Sequence, residues 1–167
     1  NVPGSYPTIA IAIAASSPGD TIQIAAGYPN DETVGVSVDN LTFNADPGVS
    51  GLYLYAELGV TTITASGTAN IRLGGNDNAN VLTGNGGANL LRGEGSNNLL
   101  KSSAGLDILE GGEGDDSLSD TSGVGLMNGG AGVDKLTGGS STELFIGGSG
   151  NDTLSTGAGA DVIVFNL

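Results

Sequence analysis

Gly111–Val164 reads, in blocks of nine, GGEGDDSLS, DTSGVGLMN, GGAGVDKLT, GGSSTELFI, GGSGNDTLS, TGAGADVIV. Three of the six blocks are GGxGxDxLx, at Gly111–Ser119, Gly129–Thr137 and Gly147–Ser155, and they alternate with looser blocks at a spacing of 18 residues. The register extends back to Gly75, giving ten consecutive blocks without an insertion. Position eight is Leu82, Leu91, Leu100, Leu109, Leu118, Met127, Leu136, Phe145, Leu154 and Ile163, always large and apolar. Position six is Asn80, Asn89, Asn98, Asp107, Asp116, Gly125, Asp134, Glu143, Asp152 and Asp161.

A short fixed period is the signature of a solenoid. Nine residues leave room for a turn of about six and a strand of about three, with the position-eight side chain pointing inward. One block cannot bury that side chain alone; stacked blocks form a continuous narrow core. If two blocks make one coil, loops on the same side stack about 4.8 Å apart. Asp116, Asp134 and Asp152 then form a column. Two carboxylates about 5 Å apart repel by roughly 3 kcal/mol at an effective dielectric near 20, so such a column needs a cation. With no His or Cys in the chain, the donors are carboxylates and loop carbonyls, which suit Ca²⁺ and disfavour zinc or copper.

These blocks resemble the RTX (repeats-in-toxin, hemolysin-type) nonapeptide of calcium-binding parallel β-rolls. The resemblance implies calcium between same-side loops, bound by the sixth-position Asp116, Asp134 and Asp152. Carbonyl donors would come from Gly111, Gly112, Gly114, Gly129, Gly130, Gly132, Gly147, Gly148 and Gly150. The opposite column departs from the pattern: Asn89, Asp107, Gly125, Glu143, Asp161. Gly125 offers no ligand, and Ser141 stands where the fourth glycine of its block belongs. Asp107, Glu143 and Asp161 are therefore secondary metal candidates, and that side is expected to be largely metal-free. Asn80, Asn89 and Asn98 are neutral and can stack without repulsion, so the coils of Gly75–Lys101 are expected to hold together without metal.

Before Gly75 the pattern is less regular. Pro7–Ser17 (PTIAIAIAASS) is rich in alanine and stops at Ser-Pro-Gly-Asp, which favours a short helix capped by Thr8. Short strands are expected at Thr21–Ile24, Val34–Val38, Leu41–Phe43, Leu52–Tyr55, Val60–Thr64 and Ile71–Leu73. The run from Tyr6 to Asn44 resembles the opening of pectate-lyase-like right-handed parallel β-helices. The expected fold is thus all-β: one right-handed parallel β-solenoid, with a cap at 1–20, β-helix coils at 21–74 and a β-roll at 75–167.

The chain has 167 residues, 31 of them Gly, with four Tyr, three Phe and no Trp. That composition suits a narrow core of Leu, Ile and Val better than a globular one. Four basic against 18 acidic residues give a net charge of −14, which argues against nucleic acid and anionic membranes as partners. No run is long enough for a transmembrane helix. The chain opens at Asn1 without a basic leader and reads as a fragment or processed product. No histidine or cysteine nucleophile system is possible and no catalytic cluster is visible, so no enzyme activity is expected. Tyr53 and Tyr55 should lie on the outer face, where tyrosines can stack on sugars or a partner.

The sequence therefore points to a calcium-binding, calcium-stabilised solenoid. By resemblance, it would belong to a secreted or surface protein of a Gram-negative bacterium, exported by type I secretion. Its role would be structural or adhesive. The alternatives are an accessory module of a polysaccharide-active enzyme and a self-assembling filament subunit, with polysaccharide or copies of itself as partners.

Overall fold

The structure, a computed structural model, describes residues 8–28 and 31–165. The first residues of the expected cap, including the Pro7 start of the helix, lie outside them. Helix α1 spans Ile9–Ala14. Thr8 caps it, its Oγ1 accepting from Ile11 N at 3.3 Å. Ile9 and Ile13 share the buried face while Ile11 is exposed, the 3.6-residue pattern expected of a helix.

The strands that follow are β1 (Thr21–Ile24), β2 (Thr33–Val36), β3 (Leu41–Ala45), β4 (Leu52–Ala56), β5 (Thr62–Gly67) and β6 (Ile71–Gly74). The nine-residue blocks then give one strand each. These are β7 (Val81–Thr83), β8 (Leu90–Glu94), β9 (Leu99–Ser102), β10 (Leu106–Glu113), β11 (Ser117–Asp120), β12 (Val124–Ala131), β13 (Lys135–Thr137), β14 (Glu143–Ser149), β15 (Thr153–Ser155) and β16 (Val162–Val164). Odd-numbered strands form one eight-stranded parallel sheet and even-numbered strands the other. The chain winds between them as a β-solenoid of about eight turns. Helix α1 packs on β1 and β2, the first strand of each sheet, and so covers that end of the coil.

Coil length falls along the chain. Thr21 pairs with Thr42 and Leu41 with Ile63, Thr62 with Val81, and Val81 with Leu99; each later coil keeps that last spacing. The ladder passes without a break from the irregular coils into the nine-residue blocks, through the β5–β7 and β6–β8 pairs. The cross-section narrows with it. The early strands bury two or three apolar residues each, such as Leu41, Phe43 and Ala45 of β3. From β7 to β14 each strand buries one, at position eight, and Leu82 through Phe145 are fully buried there. In the last described coil Leu154 is only half-buried and Ile163 is exposed.

Strand bounds differ from expectation where turns intervene. Val60 closes a turn onto Glu57 O (3.0 Å) and β5 begins at Thr62. β2 ends at Val36 rather than Val38. The short-strand expectation holds for the odd sheet, but β10 and β12 run to 8 residues and β14 to 7. On this side the ladder continues into the glycine turn, pairing Gly112 with Gly130 and Gly130 with Gly148. These glycines hold φ of 116°, 108° and 103°, a region closed to most side chains, and that geometry keeps the turns stacked.

Candidate metal centre

The loops preceding β7, β9, β11, β13 and β15 stack their sixth positions into one column: Asn80, Asn98, Asp116, Asp134 and Asp152. Each backbone N–H donates to the side-chain oxygen one coil further on. The rungs are Asn80 N to Asn98 Oδ1 (2.8 Å), Asn98 N to Asp116 Oδ1 (2.7 Å), Asp116 N to Asp134 Oδ1 (2.8 Å) and Asp134 N to Asp152 Oδ1 (3.0 Å). This ladder uses one oxygen of each aspartate. The other, Oδ2 of Asp116 and of Asp134, is buried and has no hydrogen-bond partner among the described residues.

Each free oxygen folds back over the first glycine of its own block. A Cβ on Gly111 would collide with Asp116 Oδ2 and with the Gly129 carbonyl oxygen; one on Gly129 would meet Asp134 Oδ2 and the Gly147 carbonyl oxygen. A carboxylate oxygen and a carbonyl oxygen thus face the same small space with no donor between them. Burying an acceptor without a partner costs about 1–3 kcal/mol, and more when it is charged. Burial accordingly pushes the Asp116 carboxyl up to about 6; neighbouring Asp134 adds to the rise and the Asn98 N–H opposes it. Burial also raises Asp134, the Asp116 N–H opposing, with Asp152 and Asp115 adding.

The asparagine turns show what a satisfied loop looks like. Asn98 Nδ2 donates to the carbonyls of Gly95 and Ser96 in its own turn, both at 3.0 Å. Asn80 Nδ2 donates to Val60 O at 3.1 Å, and Asn89 Nδ2 to Asn85 Oδ1 at 2.9 Å. An amide therefore supplies the positive pole that an aspartate at the same position lacks. A hard cation fits the aspartate turns for that reason: every group there is an oxygen acceptor.

The glycines expected as carbonyl donors fall into two classes. Gly111, Gly129 and Gly147 leave room for the carboxylate. Gly112, Gly114, Gly130, Gly132, Gly148 and Gly150 adopt positive φ, and a Cβ on any of them would strike the backbone of the preceding coil. Among the described residues, no three Asp, Glu, His or Cys converge as a ready-made metal cluster. The carboxylates instead come as stacked pairs, Asp116 with Asp134 and Asp134 with Asp152, and carbonyls of the glycine turns are the other oxygens beside them.

The second column is interrupted. Asn89 N donates to Asp107 Oδ1 (2.8 Å) and Glu143 N to Asp161 Oδ1 (3.0 Å), but Gly125 has no side chain to continue the ladder. Asp107 and Glu143 are fully buried, each with one unpartnered oxygen. Two residues outside the sixth-position pattern join them: Asp120 and Ser102, both at first positions and both buried with an unpartnered oxygen. The available signal was reciprocal, since Asp120 opens the one block whose sixth position is glycine.

Tyr53 and Tyr55 lie outside, opposite buried Leu52 and Leu54, and Tyr55 is 37% exposed. Their rings are 6.2 Å apart, and the Arg72 guanidinium lies 5.8 Å from the Tyr53 ring centre. The Tyr53 hydroxyl sits over Gly74 and the Tyr55 hydroxyl over Gly35, each a glycine of an adjacent strand. Arg92 pairs with Glu110 across adjacent strands at 2.6 Å.

The model of the RTX calcium-binding nonapeptide repeat (4 copies) matches this chain in overlapping stretches at residues 74–109, 95–119, 101–136, 120–154 and 137–167. No curated protein and no solved structure matches it. The comparisons thus give nothing for the opening segment, whose likeness to pectate-lyase-like β-helices stays a sequence expectation. From residue 74 onward, stacked glycine loops, paired buried carboxylates and the repeat match coincide over more than half of the sequence, and the chain belongs to the RTX calcium-binding nonapeptide repeat family.

Proposed function

We propose that this solenoid is a structural or surface-interaction element whose second half is completed by calcium, in a secreted protein of a Gram-negative bacterium. Repeats of this family bind calcium structurally and are typical of such secreted proteins. The observation that carries the reading is the pair of unpartnered, buried oxygens, Asp116 Oδ2 and Asp134 Oδ2, at positions where Asn98 places a donor. Bound calcium supplies the positive charge that balances those carboxylates and the carbonyls around them. Asp116, Asp134 and Asp152 would hold it, with the carbonyls of Gly129 and Gly147 close by. Binding to the folded state alone stabilises it by RT ln(1 + [L]/Kd) per site, so the fold would be weak where calcium is scarce and firm where it is plentiful. No catalytic role is assigned. An accessory glycan-binding role has less support, because Tyr53 and Tyr55 are already used to cover Gly74 and Gly35.

The test is a calcium titration followed by far-UV circular dichroism, with a chelator control and a count of bound ions. Cooperative melting that strengthens with calcium, and ions lost in Asp134→Asn, support the reading. A metal-stripped protein whose melting does not respond to calcium overturns it.

A further inference from the structure

The block Asp120–Asn128 inverts the usual placement of its two defining residues. In the GGxGxDxLx blocks a glycine opens the block and the sixth residue folds its carboxylate over it. Here Asp120 opens the block and Gly125 is sixth. A Cβ on Gly125 would meet Asp120 Oδ2 at 2.6 Å, the mirror of Asp116 over Gly111. The Asp120 carboxylate thus reaches the space that a sixth-position carboxylate occupies in the other turns. Its orientation is fixed: Oδ1 accepts from Gly123 N at 3.2 Å and from Ser122 N at 3.4 Å, leaving Oδ2 without a partner.

Strand register places its neighbours. Gly125 pairs with Asp107 on one side and Glu143 on the other, and Asp120 itself pairs with Ser102. Asp107 Oδ1 is held by Asn89 N, while its Oδ2 is unpartnered. Ser102, directly beside Asp120 in the adjacent strand, is 6% exposed, and its hydroxyl oxygen is unpartnered too. Asp107 and Asp120 are 0% and 1% exposed. Two buried carboxylates and a buried hydroxyl therefore point unpartnered oxygens into one region, next to a glycine that leaves the space open.

We propose that Asp120 replaces the missing sixth-position carboxylate and, with Asp107 and the Ser102 hydroxyl, forms a calcium site in the second column. The donors are hard oxygens, the set that suits Ca²⁺. This departs from the expectation of a largely metal-free second side, which followed from Gly125 having no side chain. The inference rests on the calcium reading of the first column, but the two are separable by experiment.

Calcium bound to the full chain would be counted by native mass spectrometry and by equilibrium dialysis with CaCl₂, for wild type, Asp120→Asn, Asp107→Asn, these two combined, Asp134→Asn and the double variant Asp120→Gly/Gly125→Asp. Asn is isosteric, and circular dichroism would verify folding. Asp120→Asn and Asp107→Asn should each lose at least one ion, and combining them should lose no more than either alone. The double variant, with the carboxylate back at position six, should regain the wild-type count. Asp120→Asn retaining every ion while Asp134→Asn loses some would overturn this inference and leave the first column standing. A folded double variant that does not recover the count would overturn the exchange of roles. A wild type that binds no calcium would remove both readings.

Discussion

The backbone N–H of Asn98 donates to Asp116 Oδ1 at 2.7 Å, and at that rung the neutral part of the column meets the charged part. On one side the asparagine amide satisfies its own turn; on the other Asp116 Oδ2 has no donor. A single atom, amide nitrogen against carboxylate oxygen, separates a turn that closes by itself from one that needs a cation. Asp134→Asn should therefore make its turn resemble that of Asn98. In metal-stripped protein the variant should be more stable than wild type by about 1–2 kcal/mol, the value of one or two added hydrogen bonds, with Tm higher by several degrees. In saturating calcium the order should reverse, because two carboxylate pairs share Asp134. Melting both proteins in both conditions checks this; a variant less stable than wild type without metal would contradict it.

The same boundary predicts a chain that opens in halves. The coils built on β1–β6 carry a wide apolar core and those on β7–β9 hydrogen-bonded asparagines, whereas those from Gly111 onward hold buried, unpaired carboxylates. Without calcium, hydrogen exchange should show protected amides through β9 and fast exchange from β11 onward. Calcium should slow exchange in the second half by orders of magnitude and change the first half little. Uniform protection in both conditions would show that the carboxylates do not weaken the later coils.

Burial raises the pKa of Asp107 and Asp116 from 3.8 to about 6, and it raises Asp120, Asp134 and Glu143 as well. Between pH 3.8 and about 6, the metal-free folded state then holds more protons than the unfolded chain. Its stability is greatest below that window and falls as pH rises through it. A carboxyl moved from 3.8 to about 6 disfavours the charged folded state by about 3 kcal/mol. Metal-stripped protein should thus melt higher at pH 5 than at pH 7.5. Calcium must displace those protons, so calcium affinity should rise with pH across the same window. Calorimetry of the stripped protein and titration of calcium at both pH values read the two slopes. A metal-free Tm that climbs with pH would be the opposite sign.

Much of this was legible because the period is strict. The position-eight residues from Leu82 to Phe145 are the core of the later coils, and the sixth-position aspartates stack as their spacing requires. What escaped sequence reading depends on which atom meets which. The first glycine of a GGxGxDxLx block looks like a turn former, but Gly111, Gly129 and Gly147 have no positive φ and serve to leave space. Asp120 was invisible to a reading that inspects position six, since its place in the column follows only from the fold of its own turn. The extension of β10, β12 and β14 into the turns depends on backbone pairing between glycines, which leaves no trace in apolar periodicity. Leu154 and Ile163 fit the pattern of the core, yet their exposure depends on whether another coil lies beyond them.

The two uses of glycine can be told apart by adding one methyl group. At Gly129 the backbone would tolerate alanine, but its Cβ would lie 2.7 Å from Asp134 Cγ and against the Asp134 carboxylate and the Gly147 carbonyl. Carboxylate and carbonyl must both give way, which displaces two of the oxygens that face the same space. At Gly19 the reverse holds: φ is +90°, and nothing lies within 4 Å of the added Cβ. Gly19→Ala should cost about 1 kcal/mol in backbone strain at any calcium concentration and leave calcium affinity unchanged. Gly129→Ala should weaken calcium binding at least tenfold, about 1.4 kcal/mol, and its stability deficit should be larger with calcium than without. Isothermal titration with calcium, beside melting curves in chelator and in calcium, measures both. If Gly129→Ala binds calcium like wild type, the space over the first glycine is not where the Asp134 carboxylate meets its cation.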